Sequence, residues 1–186
     1  ILRHGETEWN ATGRLQGSFD SPLTAQGRAQ AHAQNRILAG CDLRGFTALT
    51  SPQERAVQTA EIALEGFDLP LEQDANLREI GLGEWAGLSR NSLISKHDAQ
   101  DGFDLYALAP GGEGFAALEN RCRAFLSRLD TPAVVVTHGI TSRMLRLILT
   151  GKPVSALRDM AGGQGVVFHL EEQKQHRLTL GLEARI

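Results

Sequence analysis

Four residues constrain the fold of this chain more than any others: Ala133-Val134-Val135-Val136, an apolar, mostly β-branched run with no polar alternation. Such a run is buried on both faces, as in the central strand of a parallel sheet. It ends at Thr137-His138-Gly139, and Ile140, Met144, Leu145 and Ile148 then follow at helical spacing, closed by Gly151 and Pro153. A histidine therefore stands between a buried strand and a helix N-terminus. In open sheets of parallel strands that is where ligands bind, outside the carboxyl ends of the strands.

The same arrangement opens the chain. Ile1 to Arg3 read as the tail of a buried strand, His4-Gly5 follow, and Gly5 to Leu23 form a long polar connection of the kind that carries function. Thr24 opens a helix whose apolar face is Ala25, Ala29, Ala33, Ile37 and Leu38, with Gly40 at its end. Phe46 to Thr50 is a short strand. Ser51, Pro52 and Glu54 then read as a capping box with proline at the first helical position. Arg55 in that first turn opposes the helix dipole, so it calls for a neighbouring carboxylate, Glu54 or Glu61, or for a bound anion.

A short strand is expected within Leu69 to Leu77. Residues 78–87 then hold Glu79 and Glu84 among three glycines and Trp85, a plausible active-site loop. Helix and loop without firm boundaries fill residues 88–109, and Pro110-Gly111-Gly112-Glu113-Gly114 breaks the chain before a helix whose core stripe is Phe115, Leu118, Cys122, Phe125, Leu126 and Leu129. Gly165 to Leu182 alternates as two strands joined through Glu171 to Gln175, which makes His169 and His176 structural or solvated. With no internal repeat and no linker, residues 1–186 are expected to form one α/β domain around a largely parallel sheet.

A net charge of -3 and a pI near 6.1 give no footprint for nucleic acid or anionic membrane, so any basic site has to be local. No apolar run is long enough to span a bilayer and no signal peptide is read. The chain begins at Ile1 without an initiator methionine, which leaves open what precedes it. Cys41 and Cys122 have no metal spacing, and reduced structural thiols in the cytoplasm are the expectation. Oligomeric state is not legible.

His4, Arg55, Glu79 with Glu84, and His138 thus fall at strand ends, helix starts or in a glycine-rich loop, where one sheet could bring them together. Two arginines, Arg3 and Arg55, and two histidines near helix N-termini suit a multiply negative group, and phosphate matches guanidinium forks in geometry and charge. The same arginines would repel a divalent cation, which argues against a metal site. No Gly-x-Ser-x-Gly elbow occurs, and neither cysteine lies in an electropositive turn.

The ordered series of motifs resembles the histidine phosphatase superfamily, the phosphoglycerate mutase-like proteins. It comprises Leu2-Arg3-His4-Gly5-Glu6-Thr7 with Trp9-Asn10, Leu23-Thr24 with Gly27, Ser51-Pro52 with Arg55-Ala56 and Gln58-Thr59-Ala60. Leu77 with Glu79, Gly83, Trp85 and Gly87, then Pro110-Gly111-Gly112-Glu113, and Val136-Thr137-His138-Gly139 complete it. The resemblance implies a three-layer α/β/α sandwich around a mostly parallel mixed sheet. It implies phosphoryl transfer through a phosphohistidine on His4, with no cofactor and no metal, on small-molecule phosphate esters. Arg3, Arg55 and His138 would neutralise the transferring group, with Asn10, Gln16 and Gly139 also at the phosphate.

Glu79 would be the general acid and base. The residues alone do not choose between it and Glu84. Where many relatives read Gly-Gly-Glu-Ser, this chain has Gly112-Glu113-Gly114, which is expected to loosen the start of the next helix. The phosphatase branch is the leading expectation, on the chain's compactness and its acid-bearing segment, with specificity in residues 88–114. A cofactor-dependent phosphoglycerate mutase is the alternative, and a non-catalytic phospholigand-binding regulator the third.

Overall fold

Val134 and Val136 face one side of the sheet and Val135 the other, and each side is covered by its own helices. The computed structural model describes residues 1–180. Its elements are β1 (Leu2–Arg3), α1 (Glu8–Ala11), α2 (Ala25–Leu38), β2 (Thr47–Thr50), α3 (Glu54–Ala63), β3 (Leu71–Gln73), α4 (Arg90–His97), α5 (Asp104–Leu108), α6 (Gly114–Leu126), β4 (Ala133–Thr137), α7 (Gly139–Leu149), β5 (Val167–Glu171) and β6 (Lys174–Leu178). The strands form one sheet in the order β3-β2-β4-β1-β5-β6. The first four are mutually parallel, and β5 and β6 are antiparallel.

On one face Ile37 and Leu38 of α2 with Ala60 and Ala63 of α3 pack on Leu2, Ala48, Val134 and Val136. On the other, Leu118, Cys122 and Phe125 of α6 meet Met144, Leu145 and Leu147 of α7 over Val135. This is the three-layer α/β/α sandwich expected. Burying a leucine- or valine-sized side chain contributes about 1.5–3 kcal/mol, so these two layers dominate the stability.

Register decides what the sheet presents. Arg3 pairs with Thr137 and Leu2 with Val136, while Thr50 pairs with the other side of Val136. β1 and β4 therefore end level and β2 one residue short of them, and the next residue of each, His4, His138 and Ser51, emerges at one edge. His4 N donates to Thr137 O at 2.9 Å and Ser51 N to Val136 O at 3.0 Å, which carries the ladder up to the histidines. The connection after His4 passes close under α2: a Cβ on Gly5 would lie 2.2 Å from Gly27 O, and one on Gly27 2.0 Å from Glu6 O. Only glycine fits at either place.

Local expectations meet the structure unevenly. Thr24 caps α2 by accepting from Gly27 N at 3.0 Å. The capping box at Ser51 does not form: α3 starts two residues later, its N-cap is Gln53, and Pro52 lies outside it. Asp20 takes over from a distant loop, accepting from Glu54 N at 3.1 Å and Arg55 N at 3.4 Å. The box forms instead at Thr7 with Asn10, around the short α1. The start of α6 carries no side-chain cap, as Gly114 led us to expect, yet it is not loose. Glu113 accepts from Gly81 N at 3.0 Å and pairs with Arg121 at 2.5 Å. In the last hairpin Glu172 and Gln173 adopt positive φ and make a tight turn, and His169 pairs with His176 across it. Leu182 lies outside the described residues. No helix among the described residues is long and apolar enough to cross a membrane.

Candidate active site

His4 and His138 meet at the edge where β1 and β4 end, with ring centroids 5.2 Å apart. Both are buried, at 2% and 0% exposure. His4 Nδ1 lies 2.7 Å from Gly5 O. A carbonyl can only accept, so Nδ1 carries the proton and the lone pair of the neutral ring is on Nε2. Gly5 N in turn donates to Thr59 Oγ1 of α3 at 3.0 Å, which fixes that carbonyl. His138 Nε2 is 2.7 Å from Ser51 Oγ, and its Nδ1 is buried without a protein partner.

Burial holds the His4 imidazole well below its usual 6.5, and the charges of Arg3 and Arg55 push it further down, against the raising effect of the Gly5 carbonyl. Burial is also the first cause at His138, followed by Arg55, His4 and Arg3. Both rings stay neutral at pH 7. The linkage follows: the unfolded chain takes up these two protons near pH 6.5 and the folded chain does not. Their contribution to stability is therefore complete above pH 6.5 and is lost as pH falls below it. Denaturant midpoints measured from pH 8 to 5 should drop below pH 6.5, and His138→Asn should show a shallower drop. Equal slopes would contradict the assignment.

Arg55 comes from the first turn of α3 and is 1% exposed. Its Nη1 donates to Phe19 O and Asp20 Oδ1, both at 2.6 Å, and its Nη2 to Gly17 O at 3.0 Å. Its carboxylate partner is thus Asp20, not Glu54 or Glu61. Three of the five N–H groups of a guanidinium are used in this way, and Nε is among the buried nitrogens left without a partner. Arg3 Nε, at the end of β1, is another. Two cationic side chains with unsatisfied donors flank the histidine pair, which is the electrostatic setting an oxyanion needs.

Glu79 lies at the N-terminus of α7, accepting from Ile140 N, Thr141 N and Thr141 Oγ1, each at 3.1 Å. A Cβ on Gly139 would stand 3.4 Å from Glu79 Oε2 and 3.5 Å from Arg3 Cζ, so the carboxylate, the guanidinium and this glycine share one wall. That wall borders a cavity of about 360 Å³. Glu84 is exposed on a separate turn and does not line it. Asn10 and Gln16 lie in the connection after β1. Asn10 Oδ1 accepts from Thr7 N and Gln164 Nε2, both at 3.3 Å, leaving its amide nitrogen without a partner among the described residues. Gln16 is buried and donates one N–H of its amide to Thr7 Oγ1 at 2.7 Å, which helps hold that loop.

The profile of the histidine phosphatase superfamily (branch 1) matches residues 1–183. The chain belongs to that superfamily. Among curated proteins it is similar to one named "Probable phosphoglycerate mutase GpmB" from Klebsiella pneumoniae (strain 342). The two are 35% identical over 194 residues, covering 97% of this chain and 87% of the relative. Among solved structures it resembles the alpha-ribazole phosphatase from Shigella flexneri, with a TM-score of 0.79, 28% identity, and 98% and 95% of the two chains covered. It also resembles mycobacterial glucosyl-3-phosphoglycerate phosphatase complexed with VO3, with a TM-score of 0.77, 29% identity, and 96% and 95% covered.

In this histidine phosphatase fold several side chains that the sequence did not single out hold the others in place. Gln53 Nε2 donates to Gly17 O at 2.8 Å while its Oε1 accepts from Glu79 N at 2.8 Å, tying the loop that anchors Arg55 to the segment carrying Glu79. Gln164 reaches back to His4 O at 3.2 Å. Ser51, read as a helix cap, is the partner of His138. Asp20 and Thr141 complete the set. None has a sequence signal of its own, because each acts across at least 26 positions of chain, apart from the strand end that puts Ser51 beside His138.

Proposed function

We propose that this chain is a phosphatase that hydrolyses small-molecule phosphomonoesters through a phosphohistidine on His4. The observation that carries the reading is the His4 tautomer: a buried, neutral ring whose Nδ1–H is held by Gly5 O, so that Nε2 offers its lone pair between two arginines. Nε2 attacks phosphorus, the P–O ester bond breaks, and its electron pair leaves with the alkoxide, which takes the proton of the Glu79 carboxylic acid. A water then attacks the phosphohistidine and gives its proton to the Glu79 carboxylate. The N–P bond breaks, and the pair returns to Nε2 as inorganic phosphate forms. Arg3 and Arg55 offset the charge of the phosphoryl oxygens, His138 and the Asn10 amide donate hydrogen bonds to them, and Gly139 lets the backbone approach.

Gln16 supports the site through Thr7. Two guanidinium groups already supply the positive charge that a metal would otherwise bring, so the reaction is proposed to need none. The free thiols of Cys41 and Cys122 fit a cytoplasmic setting.

The relatives named as phosphoglycerate mutases favour one second reading, a mutase that keeps the phosphoryl group on His4 and returns it to its product. A single assay series separates them. With chelator present, release of inorganic phosphate from p-nitrophenyl phosphate and from 3-phosphoglycerate is expected, unchanged by 2,3-bisphosphoglycerate. Isomerisation of 3-phosphoglycerate dependent on the bisphosphate, with little phosphate released, would make the chain a mutase. Loss of all activity in chelator, restored by one divalent ion, would return a metal to the mechanism.

A further inference from the structure

The cavity bordered by Arg3, Glu79 and Gly139 is also lined by Arg90 of α4, Arg143 and Arg146 of α7, and Arg158. Two of these four cations are already committed. Arg158 pairs with Asp101, which lines the cavity, at 2.7 Å and with Asp104. Arg146 donates to Ser142 O, Gln175 Oε1 and Ala161 O.

Arg90 and Arg143 are placed differently. Neither forms an ion pair among the described residues, both are half-buried, and Arg90 Nε is fully buried with no partner. Removing part of a guanidinium from water costs free energy that a counter-charge has to offset.

The backbone makes room for both. A Cβ on Gly102 would stand 2.8 Å from Arg90 Cδ, and one on Gly162 3.0 Å from Arg143 Nη2, so each arginine lies against a position without a side chain. Their charges also reach the catalytic wall. Arg3 is pushed below its usual value by burial first, against the raising influence of Glu79 and Tyr106, and Arg143 and Arg90 push it further. A single anion in that cavity would offset the charge of all three cations.

We propose that Arg90 and Arg143 form a second anion subsite. They would grip a carboxylate or a second phosphate on the organic part of the substrate, so the preferred substrates are phosphomonoesters with a remote anionic group. This rests on the phosphatase reading and narrows its substrate class. The volume suits a small metabolite. Selectivity has two sources, since an ester with a neutral tail both forgoes the contact and leaves two half-buried guanidinium groups unpaired.

The test is steady-state phosphate release from pairs of esters matched except in the tail. Glycerol 3-phosphate against 3-phosphoglycerate probes a carboxylate, 1,3-propanediol monophosphate against its bisphosphate probes a phosphate, and p-nitrophenyl phosphate serves as reference. The charged-to-neutral ratio of kcat/KM should be about tenfold or more in the wild type for at least one pair, carried by KM. Arg90→Gln and Arg143→Gln should each cut it by about tenfold, the scale of one charged hydrogen bond. Such a ratio does not depend on how much of a preparation is folded. Hydrolysis of p-nitrophenyl phosphate with both ratios near one, or ratios untouched in both variants, overturns the subsite and leaves the phosphatase reading standing. No phosphate release from any of the five esters overturns the phosphatase reading and the subsite with it.

Discussion

His4→Ala is expected to lower phosphomonoester turnover by at least about 10⁴-fold, the scale seen when a covalent nucleophile is removed, and to leave no acid-labile phosphoenzyme. The expectation follows from geometry: with Nδ1 bonded to Gly5 O at 2.7 Å, the ring has one free nitrogen, and Arg3 and Arg55 keep it from being protonated. Alanine also leaves the Gly5 carbonyl buried without its donor, which should cost about 1–3 kcal/mol of stability. A loss of activity alone would therefore be ambiguous. His4→Asn, which can still donate to that carbonyl, should recover stability without recovering turnover. A His4→Ala protein that turns over phosphate esters at a tenth of the normal rate, or still forms phosphoenzyme, would sink the nucleophile assignment.

The parts of the fold that were legible in the sequence are those set by local patterning. Val134 to Val136 announced the central strand, the spacing from Phe115 to Leu129 announced α6, and the motif series around His4 and His138 announced the family. Positions at strand ends were legible for the same reason, since a parallel sheet puts all its carboxyl ends on one edge.

What misled was capping chemistry. Ser51, Pro52 and Glu54 satisfy the local rule for a helix start, but Ser51 is drawn to His138 and the orphan N–H groups of α3 are satisfied by Asp20, more than thirty residues earlier. Tertiary partners of this kind leave no trace in spacing. The same limit applies to Arg90 and Arg143: one lies in a segment whose boundaries the pattern could not draw, the other on the polar side of a helix, and only the folded chain brings both to one cavity.

Glu79→Gln should separate the two halves of the reaction. Removing a general acid typically costs about 10²–10⁴-fold, and that loss is expected in full for alkyl phosphates, whose alkoxide cannot leave without a proton. Glutamine is not a silent replacement here. Glu79 accepts N–H groups on both oxygens, from Ile140 on one and Thr141 on the other, so an amide must turn its NH2 against one of them. That structural penalty would fall equally on every substrate. The chemistry would not: p-nitrophenolate leaves unprotonated, so phosphorylation of His4 by p-nitrophenyl phosphate should proceed nearly as in the wild type. The water that follows has lost its base, so dephosphorylation should be slow. The variant is therefore expected to show a burst of p-nitrophenolate close to one per active site and to accumulate phosphohistidine, while alkyl phosphates give neither. Equal losses for both ester classes, with no burst and no trapped phosphoenzyme, would make Glu79 a structural cap of α7 and send the search for the proton donor to Glu84.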